Sequence, residues 1–198
     1  MMEDEAGQAR VPYIFHSGTL TEQKDGILGI IKALGEIHIA QKTELELICT
    51  GYPERSVHYK EIKELISIYH LEEKVKFLGY ISEIQLKEYL KKASIVIINK
   101  YENMQNYCCF STKLGEYLAA SKPVILTNYG EAANWVKDKE TGYIIPPGNV
   151  DSLKRAILDI LNNPEESKSI AIQGRDLCKH SFDFHVWSKP IRKLFEKL

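Results

Sequence analysis

The stretch Ser-Ile-Val-Ile-Ile-Asn at residues 94–99 decides the fold class of this chain. It is a short apolar run bounded by polar residues, which is typical of a strand buried on both faces in the middle of a parallel sheet. Outward from it, similar short runs alternate with helical patterns in both directions. The predicted strands are residues 13–16, 45–50, 75–78, 94–99, 123–127 and 142–145.

Helical spacing of apolar residues follows most of these strands, and a polar loop after the fourth strand precedes a helix that begins near Thr112. Asp25 is predicted to cap the first helix, and Asp151 the helix that follows the sixth strand. Ser82 and Gln85 form a capping box for the helix before the fourth strand. Strands alternating with helices predict an α/β domain, a Rossmann-like, doubly wound parallel sheet of six strands.

Composition and charge describe an ordinary globular chain. With 26 basic and 27 acidic residues, the net charge of −1 argues against a nucleic-acid-binding protein. The four cysteines lack the spacing of zinc ligands, so we predict no metal site and a reducing, cytoplasmic location. We expect residues 1–10 to be a disordered polar tail and residues 11–198 to form one domain, because no linker or repeat divides them.

Ligands of doubly wound sheets bind beyond the carboxyl ends of the strands, which directs attention to the loop after the first strand. There Gly18 permits a close approach of the backbone to a ligand. Lys24 precedes a helix N-terminus, which favours anions. The spacing fits a diphosphate site and a solvated turn with a surface lysine equally well. The GxGxxG and P-loop motifs are both absent.

A second candidate segment follows the fourth strand. Glu116 leaves the apolar face of its helix, so its carboxylate can accept hydrogen bonds from a ribose diol, while the backbone amides of Thr112 and Lys113 are free to bind phosphate. From the residues alone, a surface pair between Glu116 and Lys113 is the favoured alternative. Tyr80, after the third strand, fits a nucleobase pocket and a plain surface position equally well.

Three stretches together carry a family resemblance. They are FHSGTLTEQKDG at residues 15–26, TKLGEYLAASKPVILTNYG at residues 112–130 and KETGYIIPPGNVDSLKRAI at residues 139–157. In this order and spacing the chain resembles the C-terminal, donor-binding domain of family-4 glycosyltransferases, which have the GT-B fold. The resemblance runs from about Pro12 to the C-terminus.

The resemblance implies roles for specific residues. Gly18 and Lys24 match the positions that hold the donor diphosphate, and Glu116 matches the position that binds the ribose. Thr112 and Lys113 match positions whose backbone amides bind phosphate. We therefore assign Lys24 and Glu116 as catalytic residues. The substrate-binding residues are assigned as Gly18, Thr19, Thr112, Lys113 and Tyr80.

Two positions depart from the family pattern. Thr19 stands where the family commonly has an arginine, and Cys108 where it commonly has a first glutamate near the donor sugar. Three polar side chains between the fourth strand and Cys108 are alternative sugar contacts. They are Glu102, Asn103 and Asn106.

The resemblance also implies an activity, namely transfer of a hexosyl group, with retention, from a UDP- or GDP-sugar to a hydroxyl acceptor in polysaccharide biosynthesis. It implies neither cofactor nor metal. The acceptor-binding domain would lie N-terminal and is missing, so this chain is expected to be inactive alone. Thr19 and Cys108 support an alternative interpretation, a non-catalytic nucleotide-binding or interaction module.

The last predicted helix, from about residue 183 to residue 197, carries a broad apolar surface and is expected to kink at Pro190. The apolar residues are Val186, Trp187, Ile191, Leu194, Phe195 and Leu198. In GT-B enzymes the last helix commonly crosses to the N-terminal domain. We therefore expect the isolated chain to self-associate through this helix or to leave it mobile, and the full enzyme to associate peripherally with a membrane.

Overall fold

The computed structural model describes residues 11–41 and 44–196, and its centre is a six-stranded sheet in which every pair of neighbours is parallel. The strands are β1 Tyr13–His16, β2 Glu46–Cys49, β3 Val75–Phe77, β4 Ile95–Ile98, β5 Val124–Thr127 and β6 Tyr143–Ile145. Each lies within a predicted run, so the predicted Rossmann-like fold is confirmed. The polar tail predicted for residues 1–10 lies outside the described residues.

Helices cover both faces of this sheet. They are α1 Glu22–Asp25, α2 Ile27–Gln41, α3 Tyr59–Ile68, α4 Glu83–Lys92, α5 Met104–Cys108, α6 Lys113–Ala119, α7 Val150–Asn162, α8 Pro164–Ser181 and α9 Phe184–Phe195. Successive strand residues point to opposite sides, so Ile14 packs in the core under α2 and α7 while Phe15 packs in the core under α6. Within the described residues, no helix is long and apolar enough to cross a bilayer.

The strand order β3-β2-β1-β4-β5-β6 places a switch point between β1 and β4. From β1 the chain continues toward one edge of the sheet, and from β4 it continues toward the other. The connections that follow these two strands therefore diverge and leave a crevice beyond their carboxyl ends. The loop at residues 17–21, α1 and the segment at residues 99–112 border this crevice.

Helix caps test the local predictions. The capping box of Ser82 and Gln85 is present at the start of α4. The prediction for Asp151 is wrong, because α7 is capped by Asn149, whose side chain accepts a hydrogen bond from the backbone N–H of Ser152 at 2.8 Å. The backbone is still extended at Asn149, whereas Asp151 already lies in the first helical turn and pairs with Lys154.

Candidate functional site

Three asparagine side chains fix α1 at the crevice. Asn99, directly after β4, donates from Nδ2 to the carbonyl of Gly26 at 2.9 Å. Asn103 and Asn106 donate to the carbonyl of Gln23 at 2.9 and 2.7 Å. The amide groups of Asn103 and Asn106, expected as alternative sugar contacts, therefore hold the helix that carries Lys24.

Asp25 is a buried carboxylate at the centre of the site, and the prediction that it caps α2 is wrong. Its Oδ2 accepts hydrogen bonds from the backbone N–H and the hydroxyl of Thr19, both at 2.7 Å. Its Oδ1 accepts from the ammonium of Lys113 at 2.8 Å. Burial alone would raise the pKa of Asp25, but nearby His16 and Lys113 and the hydrogen bonds from Lys113 and Thr19 hold it well below its usual range.

Asp25 does not cap α2 because α1 is a separate short helix, which ends at Gly26 in the left-handed conformation before α2 begins. The side chain of Asp25 consequently turns away from α2 and into the protein. It also fills the space beside Gly18, where a Cβ atom would lie 2.6 Å from the carboxylate. Glycine at position 18 is therefore required by internal packing, and its contact with a ligand stays a prediction.

His16 lies behind this carboxylate and is fully enclosed. Its Nδ1 is 3.2 Å from the carbonyl oxygen of Ile97, which can only accept, so Nδ1 carries the proton. Its Nε2 has no hydrogen-bond partner and lies 3.9 Å from Oδ1 of Asp25. Burial, reinforced by the charge of Lys113, lowers the pKa of His16 to about 4, against the opposing effects of Asp25 and the Ile97 carbonyl. The imidazole is therefore neutral at pH 7.

Three lysines at this site lie close enough to influence one another: Lys113 pairs with Asp25, and the charges of Lys113 and Lys24 act on Lys100. Lys24 is exposed on α1, and Lys113 is the first residue of α6. Lys100, only 8% exposed, follows the end of β4, and its backbone N–H donates to the hydroxyl of Thr127 on β5. Burial lowers the pKa of Lys100, and the charges of Lys113 and Lys24 lower it further, against Cys109 and Asp25. We call Lys24, Lys100 and Lys113 the lysine cluster.

Sequence reasoning missed Lys100 as a candidate. The available signal was its position directly after the most apolar strand, at the edge where ligands of such sheets bind.

Glu116 lies on α6, whose first turn borders the crevice. The predicted alternative, a pair between Glu116 and Lys113, does not form, because Lys113 pairs with Asp25 instead. Glu116 is exposed and makes no ion pair within residues 11–41 and 44–196. The neighbouring hydroxyl of Tyr117 accepts a hydrogen bond from the backbone N–H of Ser17 at 3.1 Å, which joins α6 to the loop after β1.

The remaining predicted residues lie at different distances from this centre. Thr112 precedes α6 with a helical backbone and without a side-chain cap, and the backbone N–H of Leu114 in the first turn donates to the carbonyl of Ser111 at 3.0 Å. Tyr80 is 91% exposed after β3, which lies two strands away from β1. The structure does not bring Tyr80 to the lysine cluster, and its contact with a nucleobase stays a prediction.

An open cavity of about 670 Å³ adjoins Cys108, the position that departs from the family pattern. Its walls are mainly aromatic and include Tyr107, Phe110, Trp135, Phe182 and Trp187. Among the residues that the structure describes, no three His, Cys, Asp or Glu side chains come together in a way that could hold a metal ion.

Comparison with known proteins identifies relatives of this chain. The family model described as glycosyl transferases group 1 matches residues 3–177. The α-1,3/1,6-mannosyltransferase ALG2 of Dictyostelium discoideum is 31% identical over 150 residues, which are 75% of this chain and 34% of that protein. Another relative, the amylovoran biosynthesis glycosyltransferase AmsK of Erwinia amylovora, is 21% identical over 90% of this chain and 43% of its own length. This chain thus spans less than half of these relatives.

Solved structures share the fold. Anabaena Alr3699/HepE in complex with UDP superposes with a TM-score of 0.81 at 22% identity, over 94% of this chain and 49% of that one. The C-terminal domain of the group 1 family protein LpcC from Francisella tularensis superposes with a TM-score of 0.73 at 18% identity, over 87% of this chain and 88% of that one. The chain belongs to the glycosyl transferases group 1 family and has the Rossmann-like fold of the C-terminal half of a GT-B enzyme.

Proposed function

We propose that this chain is the donor-binding domain of a retaining glycosyltransferase and that it binds a UDP- or GDP-sugar in the crevice between β1 and β4. The observation that carries the proposal is the lysine cluster at the switch point, where this type of sheet binds ligands. Two solved neighbours, HepE structures with UDP and with UDP-glucose, support a nucleotide-sugar ligand.

In this proposal Lys24 and the uncapped first turn of α6, with the amides of Thr112 and Lys113, hold the diphosphate. Gly18 and Thr19 line its approach, Glu116 accepts hydrogen bonds from the ribose hydroxyls, and Tyr80 borders the base. As the bond between sugar and diphosphate breaks, the departing oxygen keeps the electron pair. Positive charge fixed beside that oxygen stabilises the transition state.

Transfer itself requires a second domain that binds the hydroxyl acceptor. The mannosyltransferase relative supports a hexosyl group as the one transferred, and this chain covers 34% of that relative. Helix α9 has no buried residue, and we assign its apolar face to contact with such a second domain. That face consists of Phe184, Val186, Trp187, Ile191, Leu194 and Phe195. The domain alone is expected to bind the donor without transferring it.

A non-catalytic nucleotide-binding module remains the second candidate. The observation that favours this candidate is Cys108. Its exposed thiol occupies the position of the family's first glutamate and borders an aromatic cavity. The two candidates share the nucleotide site and differ in whether a protein that carries both domains transfers a sugar. Cell fractionation of that protein tests the cytoplasmic and membrane-associated locations.

Isothermal titration with UDP, GDP and uridine tests the binding. We expect a diphosphate to bind more tightly than uridine, and Lys24→Ala to lose a charge-assisted contact of about 1.5–3 kcal/mol, which weakens the affinity about 10- to 150-fold. Lys91→Ala, an exposed lysine on α4, is the matched control and should leave the affinity unchanged. Equal affinity of wild type and Lys24→Ala for the diphosphate would exclude the role of Lys24.

A further inference from the structure

We propose that Lys100 binds the donor diphosphate together with Lys113, and that Asp25 positions the ammonium of Lys113 for this contact. This inference rests on the proposed function and adds two side chains to the site. The family resemblance implies only a backbone contact at Lys113 and assigns no role to Lys100 or Asp25.

Burial of Lys100 is the first observation. A lysine that is 8% exposed normally has a carboxylate partner, because taking an unpaired charge out of water costs free energy. Within the part of the chain that the structure describes, no Asp or Glu lies in ion-pair distance of this ammonium. The backbone of Lys100 is fixed by Thr127 at the end of the neighbouring strand, so its place at the crevice is set by the sheet. An anionic ligand supplies the missing partner.

The arrangement around Asp25 is the second observation. Thr19 donates two hydrogen bonds to one carboxylate oxygen, which leaves the other oxygen to hold Lys113 at 2.8 Å. The side chain of Lys113 remains 26% exposed, whereas that of Asp25 is 1% exposed. A ligand in the crevice therefore reaches the ammonium of Lys113 before it reaches the carboxylate of Asp25.

The balance of charge indicates the chemical class of the anion. Among the described residues, Asp25 pairs with Lys113, Lys24 and Lys100 form no ion pair, and His16 is neutral at pH 7. An excess of two positive charges remains, which matches the diphosphate of a nucleotide sugar, in which each phosphate carries one negative charge. The three lysines lie on α1, after β4 and on α6, so the two phosphates of a diphosphate can contact more of them than a single phosphate can, and the cluster favours a diphosphate over a monophosphate.

The test compares the affinities of UDP, UMP and uridine for wild type, Lys100→Met, Lys113→Met and the control Lys91→Met. Each cluster variant is expected to bind UDP about 10- to 150-fold more weakly, with a smaller loss for UMP and none for uridine. The control variant should match the wild type for all three ligands.

Stability provides a readout that separates binding from a structural role. Removing the charge of Lys100, which has two like charges nearby and no ion-pair partner among the described residues, should keep or raise the Tm in Lys100→Met, whereas a lysine needed for the fold would lower the Tm when replaced. If Lys100→Met does not fold, Lys100→Gln, which keeps a polar end without the charge, is measured in its place.

The outcomes are distinct. Unchanged UDP affinity in the folded Lys100 variant, with UDP bound by wild type, would overturn the inference and leave the proposed function standing. Wild type that binds UDP and GDP no better than uridine would reject the proposed function itself. Asp25→Asn checks the positioning role of Asp25. Without this carboxylate the ammonium of Lys113 is no longer held in place, so the variant should bind UDP more weakly. Adding Lys113→Met to Asp25→Asn should then weaken UDP binding little further.

Discussion

Replacing His16 by asparagine should make the fold less sensitive to acid. The folded chain keeps His16 neutral down to about pH 4, whereas the unfolded chain protonates it near 6.5. Between these values the unfolded state binds more protons, so the free energy of unfolding falls as the pH falls. A tenfold difference in proton affinity is worth about 1.4 kcal/mol. The lowered pKa of His16 therefore reduces the free energy of unfolding by about 3 kcal/mol when the pH has fallen to 4.

The titration of Asp25 does not change the stability in this pH range. Its pKa is held below the ordinary value of 3.8, so the stability it contributes is fully present above that value and is lost only in stronger acid. His16→Asn is the informative variant because its amide nitrogen can take the place of Nδ1 and still donate to the Ile97 carbonyl. It removes the titration while keeping the hydrogen bond.

Urea unfolding at several pH values between about 4.5 and 7.5 measures the effect. From about pH 7.5 to about pH 4.5 the free energy of unfolding should fall further for wild type than for His16→Asn. The difference between the two falls should be most of about 3 kcal/mol. His180→Asn, which removes an exposed histidine, should follow wild type. Parallel curves for wild type and His16→Asn would show that His16 does not resist protonation in the fold, and the account of the Asp25 environment would be wrong.

Two further predictions concern the ribose contact and the last helix. Glu116→Gln should weaken UDP binding by about 1.5–3 kcal/mol while leaving the binding of 2′,3′-dideoxy-UDP unchanged, and an equal loss for both ligands would contradict a ribose contact. The isolated chain should self-associate through the exposed face of α9, and Ile191→Ser combined with Leu194→Ser should shift it toward monomer in sedimentation, because the two side chains are 54% and 62% exposed. A monomeric wild type with α9 fully protected from hydrogen exchange would oppose this.

The sheet could be predicted because its signals are local. Each strand consists mainly of apolar residues, and Ile95, Val96 and Ile97 of β4 are fully enclosed. Helix α5 was missed because its residues show no apolar periodicity. It depends on a cap from Asn103 and on the tertiary hydrogen bonds of Asn106.

Asp25 shows why the site was harder to predict than the fold. An aspartate before a helical pattern is ordinarily a cap, and the sequence offered no sign of a different partner. Its actual partner, Lys113, is 88 residues away in sequence, and the contact exists only because β1 and β4 are neighbours. Lys100 was overlooked for the same reason, since a lysine that follows a strand usually reaches solvent.

The contacts across the switch point also couple ligand binding to stability. Asn99 joins Gly26, Lys113 joins Asp25, and Tyr117 joins the loop after β1, so hydrogen bonds between the segment after β1 and the segment after β4 build the crevice. A crevice held in this way keeps its lysines together whether or not an anion is present. The repulsion between their ammonium groups therefore destabilises the folded state and not the unfolded state. An anion that pairs with them removes that repulsion in the folded state only, because the unfolded chain has no cluster. If the chain binds a diphosphate as proposed, binding and stabilisation of the fold share this electrostatic cause, and ligand at about one hundred times its Kd should raise the free energy of unfolding by about 2.7 kcal/mol.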